Sequence, residues 1–173
     1  RLLLMLLCLL PVASIGATEA PATRTVVLVR HGYYLPDAKA DPKLGPHLAP
    51  IGVAQAHLAG ARLAALPERF DAMYVSPVQR ARDTAAVIAG DFPGRHFEVI
   101  DDLAECTPPT RRTEVTADEK PADRAACARQ GERRGADYFK PAHGHAQTEL
   151  MVCHGNVIRN MVVRALGVDI TAK

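Results

Sequence analysis

The chain has no tryptophan and only 5% aromatic residues, so it offers no platform on which nucleic-acid bases could stack. Its net charge is +2, too small to argue for a polyanionic partner or an anionic membrane surface. The cysteines Cys8, Cys106, Cys127 and Cys153 show none of the close pairing that zinc requires. The main apolar run, Leu2 to Val12, falls short of the roughly 20 residues a spanning helix needs. No internal repeat and no low-complexity tract is visible. Nucleic-acid binding and structural zinc are therefore set aside, and an uncleaved anchor is kept only as the alternative to a cleaved leader.

What is present suits one globular domain with a real core: 173 residues, 48% hydrophobic and 23% charged. Arg1, the apolar run, and then Ala13, Ser14, Gly16, Ala17 and Ala20 have the layout of a secretory signal peptide. The expectation is a signal peptide over 1–20, a domain over 21–173, a periplasmic or secreted location, and no stable membrane association after cleavage. Export would allow two of the remaining cysteines to pair. Cys106 and Cys127, both in a polar segment, are the candidates.

The stretch Thr25-Val26-Val27-Leu28-Val29-Arg30-His31-Gly32 organises the rest. Its unbroken, β-branched run reads as a strand buried on both faces. It ends in a cation, an imidazole and a glycine that lets the chain turn sharply. A loop to Pro50 should form one wall of a site. A helix over 50–66 follows, with Ile51, Ala54, Leu58, Ala61 and Ala65 at helical spacing. Strands are expected over 70–76, 96–100 and 148–153, with helices from Pro77 to about Gly90 and over 156–166. Residues 106–147 read as a partly helical excursion that covers the site, with weak helical patterning around Ala122 to Tyr138. Val157, Ile158, Met161, Val162 and Leu166 would line the buried side of the last helix. Strands alternating with helices imply an α/β fold, a three-layer αβα sandwich with a mostly parallel central sheet.

In such a sheet, ligands sit outside the carboxyl ends of the strands. Those ends carry Arg30-His31-Gly32, Ser76-Pro77 leading to Arg80, Asp101-Asp102-Leu103-Ala104-Glu105, and His154-Gly155. Two arginines, two histidines and a helix N-terminus form an anion site, for which phosphate is the natural guest. The set also supplies a nucleophile, charge stabilisers and a proton donor, sufficient for phosphoryl transfer without a metal or other cofactor. His143 and His145 are two histidines in a polar loop rather than a metal site, and Cys153 reads as a buried strand residue.

The residues resemble the histidine phosphatase superfamily, with its phosphoglycerate-mutase-like fold. The carriers are Val29-Arg30-His31-Gly32, Leu48-Ala49-Pro50-Ile51-Gly52-Val53-Ala54-Gln55-Ala56, Ser76-Pro77-Val78-Gln79-Arg80-Ala81-Arg82-Asp83-Thr84-Ala85, Leu103-Ala104-Glu105 and Val152-Cys153-His154-Gly155-Asn156-Val157-Ile158-Arg159, in family order. Within the superfamily the chain looks most like the mitochondrial serine/threonine protein phosphatase branch. The resemblance implies a phosphomonoester hydrolase with a phosphohistidine intermediate. His31 would attack phosphorus, Arg30, Arg80 and His154 would hold the phosphoryl oxygens, and Glu105 would protonate the leaving group. The substrate would be a small phosphoester or a phosphoserine or phosphothreonine protein. The alternative is a non-catalytic phosphate- or phosphoprotein-binding module on the same fold, which would have no need of the acid. Ala49 stands where the family usually has Thr, and the Trp and Asn of glycolytic mutases are missing after His31, which disfavours mutase activity. The family would also supply one further strand beyond Lys173.

Overall fold

The computed structural model describes residues 21–169. The expected signal peptide over 1–20, and any strand after Lys173, lie outside these residues. The elements, in chain order, are β1 (Arg24–Arg30), α1 (Pro50–Ala64), β2 (Ala72–Val75), α2 (Gln79–Ala89), β3 (Glu98–Val99), α3 (Pro121–Tyr138), β4 (Gln147–Cys153) and α4 (Gly155–Ala165). A 3₁₀ turn, Asp101–Leu103, follows β3. The strands form one sheet in the order β1-β4-β2-β3, and every pairing is parallel.

Alternation along the strands feeds two cores, one per face. Val27 and Val29 of β1, Met73 and Val75 of β2, and Leu150 and Val152 of β4 pack with Leu63 of α1 and Ala81, Ala85 and Ile88 of α2. Their neighbours Val26 and Leu28, Tyr74, and Met151 and Cys153 pack with Val157 and Met161 of α4 and Tyr138 of α3. The result is the αβα sandwich expected from the sequence.

Some burial differs from expectation. β1 is paired on one side only, among the described residues, and Val26 to Val29 are half-buried. The continuous burial read into β1 belongs to the central β4, buried from Glu149 to Cys153. On α1 the expected stripe is wrong: Ile51 and Leu58 are exposed, at 60% and 74%. The buried face is Gly52, Ala56, Gly60 and Leu63. A side chain on Gly52 would run into the Tyr33 backbone, and one on Gly60 would meet Asp91 and the Ile88 backbone of α2. Close approach selects small residues, so the larger apolar ones are left outside. On α4, Val157 and Met161 are buried as expected, but Asn160 joins them, while Val162 and Leu166 are exposed.

Candidate active site

Strand register builds the site. Arg30 is level with Cys153, and the His31 N–H donates to the Cys153 carbonyl at 2.9 Å. His31 and His154 therefore leave neighbouring strands side by side, with ring centroids 5.1 Å apart. Val75 is level with Val152, and the Ser76 N–H donates to the Val152 carbonyl. Ile100, bonded to the Val75 carbonyl, leads through the 3₁₀ turn to Glu105. All four strand ends thus meet on the carboxyl edge, as the sequence predicted. His154 is also the residue before the first turn of α4, and Arg80 lies in the first turn of α2. Both helices aim their N-termini at this edge.

His31 Nδ1 lies 2.8 Å from the Gly32 carbonyl. Since a carbonyl only accepts, Nδ1 carries the proton and Nε2 keeps its lone pair. That lone pair accepts from Arg80 Nε at 3.1 Å. Burial, with Arg80 and Arg30 nearby, holds the His31 pKa below the usual imidazole range, so the ring is neutral and nucleophilic at neutral pH. His154 is fully buried, and its pKa is driven down to about 3 by desolvation and then by Arg80, His31 and Arg30. Ser76 Oγ lies 2.7 Å from His154 Nε2. Arg80 Nη2 lies 3.3 Å from His154 Nδ1, and Glu105 Oε2 is 3.4 Å from that same atom and 3.9 Å from Arg80. Burial pushes the Glu105 pKa above the usual carboxylate range, against the pull of Arg80 and of hydrogen bonds from Asn156. The Arg30 guanidinium lies beside Gly155 and lines a cleft of about 540 Å³ together with His31, Gly32, Tyr33, Tyr34, Pro36 and Gln55.

The structure thus brings together all five expected residues, Arg30, His31, Arg80, Glu105 and His154. His31, Glu105 and His154 each present one atom within 4.8 Å of the others, a donor set that could in principle hold a cation. The Arg80 guanidinium already donates to the His31 lone pair and sits against the other two groups, so the field favours an anion. His143 and His145 are exposed in the loop before β4. Cys153 is buried, its thiol pushed up to about 12, which is the inert setting expected.

The loop after Gly32 forms the wall anticipated. It is fastened by the Tyr33 N–H donating to Gln55 Oε1, and by Leu48 and His47 bonding to Asp83. The 106–147 excursion does not line this cleft; α3 packs instead behind the Glu105 segment and against α4. The sequence reading named several further residues in its motifs and loop wall without giving them a role. Tyr34 sets its ring edge against His31 and beneath the Arg80 guanidinium, whose Cζ is 4.7 Å from the centroid. Thr84 Oγ1 accepts from the Gly32 N–H. Ser76 and Asn156 adjoin expected residues, so adjacency could have given their roles; those of Tyr34 and Thr84 come from the tertiary fold.

A histidine whose Nε2 lone pair faces an arginine, held beside a second arginine, a buried imidazole and a carboxyl group at the carboxyl edge of a parallel sheet, defines an α/β protein built to receive a phosphoryl-sized anion. The chain belongs to the histidine phosphatase superfamily (branch 1), whose family model matches residues 26–173. It is 33% identical over 153 residues to the mitochondrial serine/threonine-protein phosphatase Pgam5 of Caenorhabditis briggsae, covering 86% of this chain and 52% of that protein. It is 32% identical over 154 residues to the human mitochondrial PGAM5 phosphatase, with coverage of 86% and 52%. The chain therefore spans about half the length of these relatives. Among solved structures, a phosphoglycerate mutase from Plasmodium falciparum superposes with a TM-score of 0.59 at 24% identity, over 86% of this chain and 72% of that one. The alpha-ribazole phosphatase of Shigella flexneri gives 0.58 at 20%, over 84% and 81%. These likenesses bear on the fold.

The expected location is overturned as well. The periplasmic or secreted location read from the N-terminus conflicts with the mitochondrial relatives. A basic residue before an apolar run is compatible with more than one address, so that pattern alone cannot carry a compartment.

Proposed function

We propose that the protein is a phosphomonoester hydrolase acting through a phosphohistidine at His31, on phosphoserine or phosphothreonine side chains. The observation that carries this reading is the single-sided protonation of His31: Nδ1 is committed to the Gly32 carbonyl, so Nε2 is the lone pair facing the cations. Arg80 and Arg30 receive the phosphoryl oxygens, and the developing charge meets donors already in place. His154, whose Nδ1 faces the Arg80 guanidinium at 3.3 Å, joins them once its ring proton moves from Nε2 to Nδ1, the Ser76 hydroxyl then donating to Nε2. Glu105, whose burial favours the protonated form, gives its proton to the departing alkoxide. The resulting carboxylate then takes a proton from the water that attacks the phosphohistidine. The exposed ring of Tyr33, with Pro36 and the Tyr34 wall, gives the cleft an apolar side suited to the residues flanking a phosphorylated side chain. A pure binding module would leave unexplained why a carboxyl group is buried against the same imidazole that faces the anion.

The test is rapid quenching in alkaline detergent after mixing with a ³²P-labelled phosphoserine peptide, with one portion of the quenched protein then acidified. A phosphohistidine is acid-labile and alkali-stable, so label should survive alkali, disappear in acid and be missing from His31→Ala. Label persisting in that variant would place the nucleophile elsewhere. Binding of the peptide without turnover would favour the binding module.

A further inference from the structure

Glu105 itself is not in a regular element, yet its carboxyl group must stay within reach of His154. The chain on either side of it is tied to one face of α3. Before it, Gln130 Nε2 donates to the Asp102 and Ala104 carbonyls, at 2.9 Å each. After it, Cys106 is disulfide-bonded to Cys127. Cys127, Gln130, Gly131 and Arg134 stand at i, i+3, i+4 and i+7, which is one stripe of a helix. Arg134 is 1% exposed, and its guanidinium donates to the Asp102 carbonyl at 2.5 Å and to Asn160 Oδ1 at 3.3 Å. Arg133 adds a two-pronged pair with the Asp102 carboxylate. Gly131 lets α3 approach Asn160 of α4, and α4 is the helix that begins at His154. Side chains of α3 thus hold the acid's segment, and α3 rests on the helix that carries the acid's partner.

We propose that this stripe of α3 is a positioning clamp for Glu105, with the Cys106–Cys127 disulfide as its redox-sensitive pin. The proposal rests on Glu105 being the general acid. A dithiol reductant opens the pin by thiol–disulfide exchange: the dithiol gives up two electrons and closes into its own cyclic disulfide, and Cys106 and Cys127 become thiols. Gln130 and Arg134 still hold Asp102 and Ala104, but Cys106 is released, and Glu105 gains freedom on its carboxyl-terminal side. Misplacing a catalytic group by about 1 Å can cost of order 10²-fold. The loss should depend on the leaving group. A serine alkoxide must be protonated as it departs, whereas p-nitrophenolate need not be. A change in the fold as a whole would slow both.

The experiment compares the oxidised protein, the dithiol-reduced protein, Cys106→Ser/Cys127→Ser, Gln130→Ala and Glu105→Gln. Each is assayed by single-turnover phosphorylation with a phosphoserine peptide and with p-nitrophenyl phosphate, and by hydrogen exchange over residues 101–106. Reduction and Gln130→Ala should each raise exchange in that segment. They should slow phosphorylation by the peptide about tenfold or more, and that by p-nitrophenyl phosphate less than twofold. Glu105→Gln fixes the scale of the acid's own effect. Segment exchange unchanged by both reduction and Gln130→Ala would overturn the clamp. So would a loosened segment with no selective loss on the peptide, while Glu105→Gln shows one. Equal losses on both substrates in Glu105→Gln would instead remove the general-acid reading, and with it the clamp's role in positioning an acid. If the serine pair fails to fold, the reduced native protein and Gln130→Ala decide the matter.

Discussion

His154 gives the protein a defined sensitivity to acid. Its ring is fully buried, and its pKa is held near 3 rather than 6.5. In the unfolded chain it takes up a proton as the pH falls through 6.5, whereas in the folded protein it resists until about 3. The stability that its neutral burial contributes is thus fully present above 6.5 and is lost on the way down. A proton bound only by the unfolded state shifts folding by RT ln(1 + 10^(pKa − pH)). At pH 5 that is about 2 kcal/mol, against about 0.1 kcal/mol at pH 7.5. Urea unfolding at the two pH values, for the native sequence and for His154→Asn, isolates this contribution. Asn does not titrate and keeps an amide for Ser76. His31, also depressed by burial, is common to both proteins. The native protein should lose about 2 kcal/mol more than the variant between pH 7.5 and 5. Equal losses in the two proteins would refute the premise that His154 is held neutral by its surroundings.

Two further outcomes follow from the site. Ser76→Ala removes the hydroxyl bonded to His154 Nε2, leaving a buried ring nitrogen unpaired at a cost of about 1–3 kcal/mol; the melting temperature should fall, and the single-turnover phosphorylation rate should fall by about tenfold or more as the ring loses its tautomer. Activity should survive EDTA and be inhibited by vanadate, because Arg80 already occupies the lone pair a cation would need; loss in EDTA that a divalent metal restores would contradict this.

Much of this site could be read from the chain because its parts sit at strand ends. Arg30-His31, Ser76 and His154-Gly155 each terminate an apolar run, and a parallel sheet aligns such termini by register. Glu105 was reachable for the same reason, through β3. The burial pattern of α1 was not, because hydrophobic periodicity assumes that the larger side chain goes inward. Where Gly52 and Gly60 are pressed against Tyr33 and α2, the smallest residues take the inside and Ile51 and Leu58 face out. The role of α3 was hidden differently. Gln130 and Cys127 work by contact with a segment more than 20 residues away, and a glutamine on a polar helix carries no local mark of that. The disulfide was anticipated from export, yet the compartment inferred from export did not hold. The pairing stands on the fold, which packs α3 against the Glu105 segment.

Arg80 ties the nucleophile to the rest of the site. Its guanidinium shares itself among His31 Nε2 at 3.1 Å, His154 Nδ1 at 3.3 Å and Glu105 Oε2 at 3.9 Å, while Tyr34 supports its face. Those contacts satisfy a buried cation, and they also block the nucleophile, since the lone pair that must attack is the one accepting from Arg80. A phosphoryl group carries more negative charge than a neutral imidazole and several acceptor oxygens, so it competes well for the same N–H donors. As the donors turn to it, His31 Nε2 is released facing phosphorus. Both imidazoles must be neutral for this exchange: protonating His31 would remove the lone pair, and protonating His154 would add a cation where burial and two arginines already oppose one. The desolvation that holds the histidines neutral also raises the Glu105 pKa. One property of the pocket, its exclusion of water, thereby pushes the nucleophile toward its neutral form and the acid toward its protonated form.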